Sequence, residues 1–290
     1  MRAHLLAIVV IALSACAPKA PAPSPSPVAA APVVKIYAMN CGKIDTRDAD
    51  GFADDGSMKN VAQSLIDPCY LIRHPSGDLV WDTGLPEPLA DMPNGFSPPG
   101  QPGTHVTVPR KLTAYLADLG LTPVDIEFIS FSHMHVDHTG NANLFAASTW
   151  IVDKDERDAM FTAAARNGEG FGRYSALEAA TTILIEGDAT HDVFGDGTVV
   201  IHQAPGHTPG HTVLLVKTAS SGAVLLTGDL WHLATSREKR LVPRFNVDRA
   251  MTIASMDKVE AMAASTRARI IRQHVPADFE SLPAFPAALQ

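Results

Sequence analysis

Apolar positions recur along the chain in two rhythms. Short apolar or alternating runs predict strands over 33–39, 69–74 and 78–82, with Ser76-Gly77 as a hairpin turn between the last two. Helical spacing of Leu112, Tyr115, Leu116 and Leu119 predicts a helix over 110–119, stopped by Gly120. A buried strand over 124–131 then delivers the chain to Ser132-His133. The second half repeats this logic: a strand at 149–152, a helix at 154–165, and a glycine-bearing loop at 167–176. Strands follow at 182–186, 198–203, 212–217 and 223–227. An amphipathic helix over 247–264 carries Ile253, Met256, Val259 and Met262 on one face, and a last strand spans 269–273. Pro86, Pro88, Pro93, Pro98, Pro99 and Pro102 mark a long loop over 85–108, expected to act as a lid. Two β-rich halves with helices predict an α/β protein with sheets stacked face to face and helices outside.

The N-terminus follows a different pattern. Residues 5–13 are an unbroken apolar run behind Arg2, too short to cross a bilayer as a mature helix but suited to a signal-peptide core. Leu13-Ser14-Ala15-Cys16 resembles a bacterial lipobox, which implies cleavage before Cys16 and lipidation of that cysteine. Ala17 after it, where Asp is absent, implies anchoring to the outer membrane, facing the periplasm. An ordinary secretory signal with an incidental cysteine is the plainer alternative. Residues 17–32 hold six of the 22 prolines and read as an extended spacer. The expected organisation is therefore a signal at 1–15, a lipidated cysteine and Pro/Ala-rich spacer at 16–32, and one domain over 33–290. Cys41 and Cys69 can pair in an oxidising envelope, and the sequence leaves this open.

Composition narrows the function. The 290 residues are 46% apolar and 19% charged with mean hydropathy +0.06, which excludes wholesale disorder and a multi-span membrane protein. The net charge of −8 disfavours nucleic acid as a partner. Three cysteines exclude an all-cysteine zinc site, whereas 12 histidines leave a histidine-based one open.

The decisive segment is 132–140, SHMHVDHTG. Alternate residues of an extended segment point the same way, so His133 and His135 can share one metal. Asp137 and His138 turn at the start of the next element and can serve a second. Further candidates end other strands: His207 and His211 in Pro205-Gly206-His207-Thr208-Pro209-Gly210-His211, Asp229 in Thr227-Gly228-Asp229, and His274 after Gln273. Sites of α/β folds gather at such strand ends. Imidazoles suit Zn²⁺, and an added carboxylate also suits Fe²⁺, Mn²⁺ or Co²⁺.

This ordered set, with Leu79-Val80-Trp81-Asp82-Thr83-Gly84 ahead of it, resembles the metallo-β-lactamase superfamily. The resemblance implies a four-layer αβ/βα sandwich with a dinuclear metal site at its edge. It implies that His133, His135 and His207 bind one metal, that Asp137, His138 and His274 bind the other, and that Asp229 bridges both. Asp82 would orient a ligand from behind, and His211 would have a supporting or packing role. The remaining histidines at 74, 105, 191 and 202 read as structural.

Within the superfamily, the stretches 69–75, 81–86, 138–142 and 242–246 most resemble N-acyl homoserine lactonases, which open a lactone ring and silence quorum signals. That implies a catalytic Asp137 shuttling a proton to the leaving oxygen. One departure stands out: such lactonases place a tyrosine three residues after the bridging Asp, where this chain has His232. An imidazole can donate the same hydrogen bond, so His232 is a substrate-side candidate. Leu85, Met92, Phe96, Phe161, Phe171, Trp231 and Phe245 lie in or beside candidate rim loops for an acyl chain, and Val136 should face the site. True β-lactamases of the superfamily lack a bridging Asp. Glyoxalase II thioesterases use a basic C-terminal helical domain, where 277–290 here carries no basic residue. A metal-binding envelope lipoprotein without activity is the non-enzyme alternative. Homodimers are common among relatives, but no dimer face is legible.

Overall fold

The computed structural model describes residues 32–290. The expected signal, Cys16 and nearly all of the spacer lie outside the described residues. Twelve strands form two sheets among the described residues. β1 (Lys35–Thr46), β2 (Gln63–His74), β3 (Gly77–Trp81) and β4 (Thr104–Thr107) are followed by β5 (Phe128–Ser130), β6 (Thr149–Asp153) and β7 (Thr182–Ile185). These make a seven-stranded sheet in the order β4-β1-β2-β3-β5-β6-β7, parallel from β3 to β7. β8 (Thr190–Asp192), β9 (Val199–Gln203), β10 (Thr212–Thr218), β11 (Gly222–Leu226) and β12 (Arg269–Ile271) make the second, in the order β12-β11-β10-β9-β8.

Burial assigns the layers. Ile36, Tyr70, Ile72, Leu79 and Trp81 of the first sheet pack against Val199, Ile201, Leu214, Val216 and Leu226 of the second. The other face of the first sheet packs Met39, Leu71, Val80 and Trp150 against Leu112 and Leu116 of helix α1 (Leu112–Asp118). The outer face of the second sheet meets Met256, Val259 and Ala263 of a long helix, Arg249–Thr266. Helix, sheet, sheet and helix are thus the four expected layers, and period-2 alternation within strands sorts side chains between them.

Several expected elements differ. β1 and β2 each run well beyond the predicted 33–39 and 69–74. Their extra halves mix polar and apolar residues, and β1 is bulged between Asn40 and Lys43 opposite Pro68, a residue that donates no ladder hydrogen bond. Cys41 lies in that bulge and is disulfide-bonded to Cys69. The 85–108 segment is not one open loop: β4 pairs with the outer half of β1, and Phe96 bridges Val106. The helix expected over 154–165 is broken into α3 (Lys154–Met160) and Ala163–Arg166, because the Thr162 side chain caps a new start by accepting from Ala165 N–H. β8 carries no apolar residue and escapes hydropathy altogether.

Candidate active site

Asp82 and the seven candidate ligands follow the C-terminal ends of strands, at one edge of the sandwich. Asp82 follows β3, His133 to His138 follow β5, and His207 follows β9. Asp229 follows β11 and His274 follows β12. A single turn of helix, α2 (Val136–Thr139), carries Asp137 and His138. The parallel strands β3 and β5 lie side by side, so Asp82 reaches Ser132 directly. Asp82 is fully buried at φ 56°, a left-handed conformation that Asp tolerates better than most residues. Ser132 N–H donates to Asp82 Oδ1 at 2.7 Å, and the Ser132 hydroxyl donates to Oδ2 at 3.0 Å. His138 Nδ1 lies 3.1 Å from the same Oδ2, and His133 Nδ1 lies 3.1 Å from Ser132 Oγ.

With these nitrogens turned outward, the opposite ring atoms converge. His135 Nδ1 stands 2.8 Å from His133 Nε2 and 3.1 Å from His207 Nε2. Asp229 Oδ2 faces this trio, 3.6 Å from His133 Nε2 and 3.5 Å from His207 Nε2. Its other oxygen, Oδ1, faces His138 Nε2 at 3.2 Å and His274 Nε2 at 2.9 Å. Asp137 completes the second group, 3.6 Å from His274 Nε2 and 3.9 Å from His138 Nε2. His274 is aimed by its Nδ1–H, which donates to the Ile66 carbonyl at 2.8 Å. His211 holds Asp229 in place: its Nε2 accepts from Asp229 N–H at 3.0 Å while Nδ1 faces the Ala204 carbonyl.

The donor set fits cations. His133, His135, His207 and Asp229 form one group able to hold an ion, and Asp137, His138 and His274 form another. His138 Nε2 and Asp229 Oδ1 are buried and lie 3.2 Å apart, yet neither makes an aligned hydrogen bond. Buried polar atoms rarely lack partners, and here they face shared space that a cation would fill.

Charge divides the two groups. Burial holds the His133 and His207 imidazoles well below their ordinary pKa, with the His138 charge adding to the effect on His133. Burial opposes protonation of His138 and His274 as well, but the surrounding carboxylates win. His138 rises well above its ordinary value beside Asp229 and Asp82, and His274 is pushed up to about 9 by Asp229. Asp229, despite burial, is held well below the carboxylate range by His274 and His232. The first group thus offers free lone pairs, while the second must release protons when a cation enters.

The match to known proteins spans this whole arrangement. The metallo-beta-lactamase superfamily model matches residues 66–274, from the first half of β2 to the last histidine of the site. The chain belongs to the metallo-beta-lactamase superfamily. It is 30% identical over 261 residues to the N-acyl homoserine lactonase AttM of Azorhizobium caulinodans, covering 88% of this chain and 97% of that one. Its fold matches a solved N-acyl homoserine lactone hydrolase holding the product N-hexanoyl-L-homoserine at its catalytic metal centre. The TM-score is 0.75 at 24% identity, over 89% of this chain and 99% of that one. It also matches the dizinc quorum-quenching lactonase AidC, with TM-score 0.61 at 19% identity over 88% and 89% of the two chains.

Other residues of this metallo-beta-lactamase fold were not legible in the sequence. Glu156 is buried, and its two oxygens accept the N–H groups of Met134 and Gly210. Asp67 is fully buried, accepts the Leu85 N–H at 2.8 Å, and is raised well above the carboxylate range by burial and by Asp137. Phe52, from a glycine- and aspartate-rich loop, lies 5.5 Å from His232 and 5.6 Å from Phe245. Of the rim candidates, Phe245 reaches the site, 5.8 Å from His207 and 6.1 Å from His135 between ring centres. Val136 is 39% exposed. Leu85, Phe161 and Trp231 are instead buried in core clusters, and Phe171 packs on Phe161. Met92 and Phe96 are exposed on the proline-rich segment. His232 is buried, with Nε2 2.9 Å from Asp229 Oδ2 but without hydrogen-bond alignment.

Proposed function

We propose that this chain is a metal-dependent hydrolase that opens the lactone ring of N-acyl homoserine lactones, a quorum-quenching activity. The observation that carries the reading is the Asp229 carboxylate, whose two oxygens are divided between two histidine groups. In this reading His133, His135 and His207 hold one cation, Asp137, His138 and His274 the other, and Asp229 both. Zinc suits the donor set first, with iron, cobalt or manganese as alternatives. Two bound cations supply Lewis acidity and lower the pKa of the attacking water.

The chain's own groups do the rest. Asp137, partly open to solvent between His138 and His274, takes the proton of the attacking water. Water adds to the lactone carbonyl, the ring C–O bond breaks, and Asp137 returns the proton to the departing oxygen. His232 presses on Asp229 from the substrate side, in the place where lactonases carry a tyrosine. Phe52 and Phe245 form an aromatic wall that excludes water and receives an acyl chain.

From the Leu13-Ser14-Ala15-Cys16 pattern we further propose that the protein is an exported, lipidated chain of the cell envelope, anchored through Cys16. The Cys41–Cys69 disulfide supports it, since such bonds persist in oxidising compartments. No helix among the described residues is long and apolar enough to cross a membrane.

A panel of acyl homoserine lactones, a chromogenic cephalosporin and a glutathione thioester tests the substrate class on the zinc-loaded protein. Chelator-sensitive lactone opening is the expected result. Cephalosporin or thioester turnover without lactone turnover overturns the reading.

A further inference from the structure

α3 begins where β6 of the first sheet ends, and its first turn reaches into the second sheet. Asp153 caps it, accepting from Asp155 N–H at 2.8 Å and Glu156 N–H at 3.3 Å through Oδ1. The other oxygen of Asp153 accepts from Gln203 Nε2 of β9 at 2.6 Å. Glu156, only 3% exposed, then places its carboxylate between two loops. Oε1 accepts from Met134 N–H at 2.7 Å, and Met134 lies between His133 and His135. Oε2 accepts from Gly210 N–H at 2.9 Å, three residues after His207. The approach is close enough to require glycine: a Cβ on Gly210 would fall 2.2 Å from Asp153 Oδ1 and 2.5 Å from Glu156 N. Thr212 adds a second tie between these loops: its N–H donates to Ser132 O at 2.8 Å and its hydroxyl to Phe131 O at 3.3 Å. Neither His138 nor His274 is held this way; they are aimed by Asp82 and by the Ile66 carbonyl.

We propose that Glu156 is the positioning residue of the first histidine group. It ties the loop of His133 and His135 to the loop of His207 and so sets that group's affinity for its cation, without touching cation or substrate. The inference rests on the ligand grouping proposed above. A carboxyl suits the task because each of its oxygens, ionised or protonated, keeps a lone pair for one of the two fixed N–H donors. An amide replaces one acceptor with a donor and sets it against an N–H.

The test is a zinc titration of the metal-free full chain against a chromophoric chelator in two backgrounds. His274→Ala leaves the first group, and His207→Ala leaves the second. Adding Glu156→Gln is expected to weaken zinc binding about tenfold or more in the His274→Ala background, the scale of lost support behind a metal ligand. In the His207→Ala background the change should stay within about twofold. Equal loss in both backgrounds, or none in the first, overturns the inference. If circular dichroism shows Glu156→Gln unfolded, Gly210→Ala carries the same test. It keeps the carboxylate but forces the loop off it, and unchanged affinity in the His274→Ala background overturns the inference. If His207→Ala and His274→Ala do not each lower the stoichiometry from two ions to one, the ligand grouping itself falls and takes this inference with it.

Discussion

Asp82 and Glu156 are two buried carboxylates that grip backbone amides beside the same histidines, yet they join different parts of the molecule. Asp82 links neighbouring parallel strands of one sheet, and through Ser132 it reaches both His133 of the first group and His138 of the second. Glu156 links the two sheets and reaches the loops of the first group alone. The support of Asp82 within a sheet is therefore shared by both halves of the site, whereas each tie across the sandwich, Glu156 for the first group and the Ile66 carbonyl for His274, serves one half alone. Asp229 lies where the two kinds of support meet.

That contrast orders the expected effects of perturbation. Asp229→Asn removes the one carboxylate common to both groups, so zinc stoichiometry and lactone turnover should both collapse, the latter by more than about a hundredfold. Retention of two tightly held ions in that variant would erase the distinction between shared and private support.

The next effect is on folding. Burial pushes Glu156 up to about 7 from an ordinary value of 4.5, so the folded chain keeps a proton that the unfolded chain releases. Its contribution is most favourable below about pH 4.5 and is lost as pH rises through 7, on the order of 3 kcal/mol in all. Urea unfolding of the metal-free protein at stepped pH should show this slope as a difference between the wild type and Glu156→Gln, since Asp67, Asp153, His138 and His274 titrate in both. A pH-independent difference between the two would contradict it.

Asp82→Asn should weaken both ions by about 10- to 100-fold, in contrast to the one-sided effect of Glu156→Gln. Loss confined to the second group would show that Ser132 does not transmit the support of Asp82. The smallest change is at the rim. Phe245→Ala should raise KM for long-chain lactones about fivefold with kcat little changed, since about 1 kcal/mol of apolar contact is lost. An equal effect on short and long acyl chains would remove Phe245 from the acyl wall.

The ligand-type residues were legible because each ends an apolar strand and because histidine and aspartate are conspicuous at such ends. The support around them was not. Glu156 sits in a charged helical turn, KDERDAM, where a glutamate reads as solvated surface, and only the second sheet arriving overhead buries it. Asp67 precedes Pro68 in a half-strand of mixed polarity whose pairing depends on a bulge in its partner. Phe52 lies among aspartates and glycines, and its loop is held by Arg244 and Arg249 pairing with Asp50 and Asp54, nearly 200 residues away in the chain. The fold's layers followed from periodicity, while β4 and β8 needed partners to exist at all, having too little apolar surface of their own.

In the proposed lactone-opening site one carboxylate, Asp229, would serve two cations. Lactone opening yields a carboxylic acid, so proton release reports turnover directly. The most direct measurement follows proton release from N-hexanoyl homoserine lactone while zinc is added stepwise to the metal-free chain. Turnover is expected to rise until two equivalents are bound and then to level off, and to remain at background in Asp229→Asn. Full turnover by the metal-free chain, or by Asp229→Asn, would contradict the account.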